Sequence, residues 1–146
     1  MEISQIDPLL YLGAAKHVTR NTEQFQKLNI DVIINCCNDI THKNTHEYII
    51  EQYPIDDGID GTLIHYMDAA ADKINYYLNQ GKKIYVHCVH GRSRSPAILI
   101  YYFMKHQKLT YQQAFEKILS IRPIIWMNSN FVEELKYCEK IELIIN

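Results

Sequence analysis

The chain has no run approaching the roughly 18 apolar residues of a membrane span, and no apolar stretch follows Met1 as a secretory leader would require. It has no Asn-x-Ser/Thr acceptor, no myristoylation pattern and no prenylation box. Excess basic charge is also missing. Lys and Arg number 15 against 17 Asp and Glu, a net charge of −2, which excludes the positive footprint of a nucleic-acid or anionic-membrane binder. Cysteine is sparse: Cys36, Cys37, Cys88 and Cys138. Their spacing matches no metal site, and adjacent Cys36 and Cys37 make a poor disulfide staple. Repeats, linkers and low-complexity tracts are absent. These absences predict one domain over residues 1–146, without metal, cofactor or membrane partner, and with nucleic acid an improbable one.

What is present centres on His87-Cys88-Val89-His90-Gly91-Arg92-Ser93-Arg94-Ser95-Pro96. An apolar run, Ile84-Tyr85-Val86, leads in, and an apolar helical pattern leads out from Pro96 to about His106. A strand, tight loop and helix in that order place the loop at a helix N-terminus, where unpaired N–H groups and the helix dipole favour an anion. The residues between Cys88 and Arg94 can curl so that the amides of Val89, His90, Gly91, Arg92, Ser93 and Arg94 face one tetrahedral oxyanion. Arg94 would close the ring with a bidentate fork. A phosphate or sulfate would suit the cradle. Cys88 at its floor would ionise easily, because dipole, amides and Arg94 all favour thiolate. A working thiolate calls for a reducing compartment, the cytoplasm with access to the nucleus. Ser95 would donate to the thiolate or cap the following helix. His87 would orient the loop or serve only as a core histidine.

The rest of the chain alternates strands and helices. Ile6–Gly13 reads as a short strand behind a proline turn, and Thr22–Leu28 as a short helix capped by Asn21 or Thr22. Ile30–Cys37 is almost continuously apolar, as in a strand covered on both faces. Residues 38–47 read as a connecting loop, Tyr48–Tyr53 as a strand, and Pro54–Gly61 as an acidic loop. A long helix begins at Thr62, with Leu63, Met67, Ala70, Ile74, Tyr77 and Leu78 on one stripe and Gly81 at its end. Thr110 to Gln113 forms a capping-box pattern, Arg122-Pro123 ends that helix, and a last helix starts at Asn130. The pattern predicts an α/β fold: a mostly parallel central sheet of about five strands with helices on both faces.

His87-Cys88-x-x-Gly91-x-Ser93-Arg94-Ser95 resembles the active-site motif of the cysteine-dependent protein phosphatases, in their dual-specificity branch. Leu10-Tyr11-Leu12-Gly13 is similar to that branch's opening element, and the resemblance covers nearly the whole chain. At 146 residues it resembles the small atypical members, whose shallow pocket admits phosphoserine and phosphothreonine besides phosphotyrosine. The resemblance implies Cys88 as nucleophile, Arg94 and the loop amides as phosphate ligands, and Ser95 as donor to the thiolate. It puts the general acid after an Ile-Pro strand end, where this chain has Tyr53-Pro54-Ile55-Asp56-Asp57. Asp57 is the candidate, with Asp56 its neighbour and Asp60 a turn or cap residue. Arg122-Pro123-Ile124-Ile125-Trp126-Met127-Asn128 is similar to a further family element. There Asn128 would brace the loop through its amide, and Arg122 would reach a second substrate phosphate or merely end its helix.

The implied partners are phosphorylated proteins, a kinase activation loop among them. Arg92 adds positive charge at the mouth beside His90 and keeps two alternatives open, an RNA 5′-triphosphatase and a phosphoinositide phosphatase; a non-catalytic phospho-binding module of the same fold is a third, of a different class.

Overall fold

The computed structural model describes residues 2–43, 46–58 and 62–145, with side chains through 142. The chain opens with a hairpin, β1 (Ser4–Asp7) and β2 (Leu10–Ala14), turning at Pro8-Leu9. The sequence expectation of one strand across Ile6–Gly13 is therefore corrected. Proline has no N–H to continue a ladder, so the chain folds back and Ser4 pairs with Leu12. Two single-turn helices follow, α1 (Lys16–Thr19) and α2 (Glu23–Gln26). Thr22, not Asn21, caps α2 by accepting the Phe25 N–H at 3.3 Å. Then come β3 (Val32–Asn35), β4 (Ile49–Gln52), α3 (Thr62–Asn79), β5 (Ile84–Cys88), α4 (Arg94–His106), α5 (Tyr111–Ile121) and α6 (Ser129–Ile145).

The strands form one sheet in the order β1-β2-β5-β3-β4. Only β1 runs antiparallel, so the sheet is mixed but mostly parallel. Alternation along the three inner strands builds two cores. Leu10, Leu12, Val32, Ile34, Ile84 and Val86 meet α3, α4, α5 and α6 on one face. Tyr11, Ile33 and Tyr85 meet Phe25 of α2 on the other. Residues covered on both sides explain the unbroken apolar character of these strands. Of the α3 stripe, Leu63, Met67, Ala70, Ile74 and Tyr77 are buried and Leu78 partly so. Each fully buried aliphatic side chain there contributes about 1.5–3 kcal/mol.

The register sets the site. Gly13 pairs with His87, Ala14 with Cys88, and Asn35 with His87. Three parallel strands thus end together at the cysteine, at the carboxyl edge where open α/β sheets bind ligands. Helix α4 starts at Arg94, two residues earlier than the sequence pattern indicated. Pro96 is its third residue, which costs nothing because the first four N–H groups of a helix have no partner within it. Ser93, not Ser95, occupies the cap position.

Candidate active site

Strand β5 delivers Cys88 and α4 takes up the chain at Arg94. Gly91 makes the turn between them possible. It has φ +67°, and a Cβ there would lie 2.6 Å from the Gly13 carbonyl oxygen. The left-handed conformation and this close approach both demand glycine. The Ala15 N–H donates to Val89 O at 3.0 Å and ties the loop to the end of β2. Cys88 is buried, and its Sγ lies 3.1 Å from Ser95 Oγ. Burial alone would push its thiol pKa up. The Ser95 hydroxyl, the Ser95 and Ser93 amides and the Arg94 charge outweigh that and hold the pKa below the ordinary thiol value.

Arg94 is 7% exposed. Its Nη1 donates to Asp39 Oδ1 (2.9 Å), Ile55 O (3.1 Å) and Asn38 Oδ1 (3.2 Å). Its Nε is buried and has no hydrogen-bond partner among the described residues. A buried donor of this kind is uncommon in a folded protein and suits an incoming anion. Burial disfavours the guanidinium, but Asp39 and the Cys88 thiolate outweigh it and raise the Arg94 pKa. The partner agrees: burial pulls Asp39 up, Arg94 pulls it further down, and the net shift is downward.

Asp57 joins the loop through one oxygen. Its Oδ1 accepts from Ser93 Oγ and from Asn128 Nδ2, both at 2.8 Å. Asp56 turns elsewhere. Its N–H donates to Thr62 Oγ1 at 2.9 Å, and its carboxylate lies against Gly58. Asp60 lies outside the described residues. Asn128 does brace the loop, but by its backbone N–H, which donates to Ser93 Oγ at 3.3 Å. Its side-chain amide holds Asp57, and its Oδ1 accepts the Phe131 N–H to cap α6.

Arg122 departs from expectation. It is 3% exposed and donates to Gly91 O (2.8 Å), His90 O (3.1 Å), Glu2 O (2.7 Å) and Ser4 Oγ (3.0 Å). It lies behind the loop and ties its carbonyls to the N-terminal segment, so it does not reach out to a second phosphate. Its backbone also ends α5. His90 and Arg92 are exposed, as a rim position requires.

The family model described as "Dual specificity phosphatase, catalytic domain" matches residues 10–141. The chain belongs to this family. It is 30% identical over 131 residues to human dual specificity protein phosphatase 1, a match covering 90% of this chain and 35% of that protein. The chain thus spans about a third of that relative's length. Human tyrosine phosphatase-like serine/threonine/tyrosine-interacting protein superposes with TM-score 0.87 at 28% identity, covering 97% of this chain and 98% of that one. A point variant of human DUSP28 superposes with TM-score 0.89 over 100% and 99%, at 23% identity, a likeness of fold.

Within this dual-specificity phosphatase fold, the residues that sequence reasoning overlooked lie on the loop after β3. Asn38 and Asp39 grip Arg94, and His42 Nε2 stands 2.7 Å from His87 Nε2. In sequence they read as part of a polar connecting loop. The available signal was their position at the carboxyl end of a parallel strand, next to the strand bearing the thiol. No cluster of three or more His, Cys, Asp or Glu side chains suited to a metal occurs among the described residues. No helix there is long and apolar enough to cross a membrane.

Proposed function

We propose that the chain hydrolyses phosphate monoesters of protein tyrosine, serine and threonine residues through a phosphocysteine intermediate. One observation carries the reading. A buried thiol, hydrogen-bonded to Ser95 and lowered in pKa, shares its loop with an arginine whose buried Nε has no partner among the described residues. In the first step the Cys88 thiolate attacks phosphorus, and a P–S bond forms as the ester P–O bond breaks. Asp57 gives its proton to the departing oxygen. The amides of Val89 to Arg94 and the Arg94 guanidinium hold the non-bridging oxygens while charge redistributes. In the second step water attacks phosphorus, and Asp57 takes its proton. The P–S bond breaks, and Ser95 donates to the leaving thiolate.

Ser93 and Asn128 position Asp57 for both proton transfers. Asp57 is preferred to Asp56 because, among the described residues, Asp57 is the one of the pair that hydrogen-bonds to the cysteine loop. Arg122 and His87 support the loop from behind. Among phosphoproteins, doubly phosphorylated kinase activation loops suit the exposed His90 and Arg92 at the rim. The same thiolate chemistry argues for a reducing compartment, the cytoplasm or nucleus.

A second reading is a phosphoresidue-binding module. It rests on the likeness to the human protein described as phosphatase-like and serine/threonine/tyrosine-interacting. Presence of Cys88, Arg94 and Asp57 in this chain favours turnover. Hydrolysis of p-nitrophenyl phosphate separates the two. The wild-type protein is expected to turn it over and Cys88→Ser to be inert. A folded wild-type protein with no turnover on this ester or on phosphopeptides would sink the enzyme reading.

A further inference from the structure

His87 is fully buried. Its ring lies 5.9 Å from Tyr85 and 4.8 Å from His42, centroid to centroid. Nδ1 stands 3.0 Å from the Cys88 carbonyl oxygen, and Nε2 stands 2.7 Å from His42 Nε2. These contacts determine where the protons are. A carbonyl oxygen only accepts, so His87 Nδ1 carries its proton. Burial drives the His87 pKa down to about 3, so the ring is neutral and Nε2 presents a lone pair. His42 must then be the donor. The result is a directed chain, from the His42 N–H to His87, and from the His87 N–H to the Cys88 carbonyl.

The ring of His42 is placed by the sheet edge. Its backbone N–H donates to Gln52 Oε1 at 3.2 Å, and the same oxygen accepts from Asn35 Nδ2 at 3.0 Å. Asn35 is the β3 residue in register with His87, and its Nδ2 also donates to Ile40 O at 2.6 Å. The loop that carries His42 also carries Asn38 and Asp39, which grip Arg94. One segment therefore contacts the thiol loop at both ends.

We propose that His42 is a positioning residue for Cys88: its N–H pins His87 in the tautomer that engages the Cys88 carbonyl and so fixes the nucleophile's peptide. That carbonyl is an acceptor dipole directly beside the thiolate. Turned toward the loop it would repel both thiolate and phosphate; held by His87 it does not. Without the His42 donor, the buried Nε2 would lack a partner. The ring would then lose the tether that keeps its Nδ1–H on the Cys88 carbonyl.

The proposal rests on Cys88 being the reactive thiol, and its test has readouts that do not need a phosphate ester. Nitrogen NMR of the imidazoles in the wild-type protein is expected to show His87 protonated at Nδ1 and bare at Nε2. The opposite tautomer would overturn the proposal. In parallel, Cys88 alkylation by iodoacetamide is followed against pH by peptide mapping for His42→Phe and His42→Gln. The phenyl ring keeps the shape and loses the donor, whereas the glutamine amide offers an N–H at similar reach.

The Phe variant should shift the alkylation midpoint to higher pH. It should lower kcat for p-nitrophenyl phosphate on the order of tenfold with KM little changed, the scale typical of an outer-shell partner. The Gln variant should restore most of both. A wild-type alkylation profile in the Phe variant, or a Gln variant as impaired as Phe, would refute the role. If the Phe variant fails to fold, the tautomer measurement and the Gln variant still decide. A wild-type protein inert toward phosphate esters but showing the expected tautomer and alkylation shifts would sink the phosphatase reading alone.

Discussion

Two buried arginines meet at the cysteine loop and do different work. The hydrogen bonds resolved for Arg122 run to the carbonyls of Gly91, His90 and Glu2 and to the Ser4 hydroxyl. Among the described residues Arg94 is held by Nη1 alone, against Asp39, Asn38 and Ile55, and its buried Nε has no partner there. Their electrostatics diverge for the same reason. Burial pulls the Arg122 pKa down, and the partners resolved for it are neutral carbonyls and a hydroxyl. Arg94 suffers burial too, yet Asp39 and the Cys88 thiolate raise it. An arginine answered by peptide oxygens maintains a shape. One answered by a carboxylate on one side, with a donor left over, is set for a second anion.

The largest effects should separate this pair. Arg94→Ala is expected to lower kcat/KM on the order of 10³-fold, as loss of a transition-state anion ligand does, with little change in the urea midpoint. Arg122→Ala should do the reverse. Removing one side chain from several buried carbonyls should cost about 2–4 kcal/mol in urea unfolding, while the activity of the folded fraction stays within about tenfold. A stable but inactive Arg122→Ala protein would break the distinction.

Next in size is the acid. Asp57→Asn should slow hydrolysis of phenyl phosphate on the order of 10²-fold. It should barely affect p-nitrophenyl phosphate, whose leaving group needs no proton. Asp56→Asn should resemble wild type on both; equal losses would mean the wrong carboxylate has been assigned.

A pH series sharpens the comparison further. The Cys88 thiol pKa lies below the ordinary thiol value, so between the lowered and the ordinary value the unfolded chain binds the proton that the folded site has lost. The thiolate's contribution to stability is therefore complete above the ordinary thiol pKa and is lost as pH falls through the lowered one. Cys37 and Cys138 move the other way: burial pushes Cys37 up to about 12 and raises Cys138. Iodoacetamide near neutral pH should thus label Cys88 first. Arg94→Ala should shift that profile to higher pH, and Arg122→Lys should leave it in place. Smallest of all, Asn128→Ala should cost about 1 kcal/mol as the α6 cap is lost. It should also give a few-fold slower turnover of poor leaving groups, because Asp57 loses one of its two tethers.

The parts of the molecule legible in the sequence were those coded locally. The loop from Cys88 to Arg94 announced itself because strand, glycine turn and helix start are contiguous. The Thr110 capping box also formed as read, with both reciprocal bonds present. Sheet class followed from apolar runs such as Ile30–Cys37. Misreadings arose where a residue's role depends on distant partners. Whether Arg122 faces solvent or the loop's back depends on Glu2 and Ser4, which lie across the fold at the N-terminal segment. Asp39 and His42 look like ordinary loop polarity until β3 and β5 pair and bring them to Arg94 and His87. The hairpin at Pro8 was hidden by apolar residues on both sides of the turn, although the proline itself was the available clue.

The central claim is that Cys88 carries the phosphoryl group between the two steps. Its most direct test is an acid quench during turnover of a phosphotyrosyl peptide, followed by mass mapping of the trapped chain. A phosphate adduct on Cys88, present in the wild-type protein and absent in Cys88→Ser, is the predicted result. An active wild-type enzyme whose adduct maps to any other residue, or a Cys88→Ser protein that turns over at the wild-type rate, would contradict it.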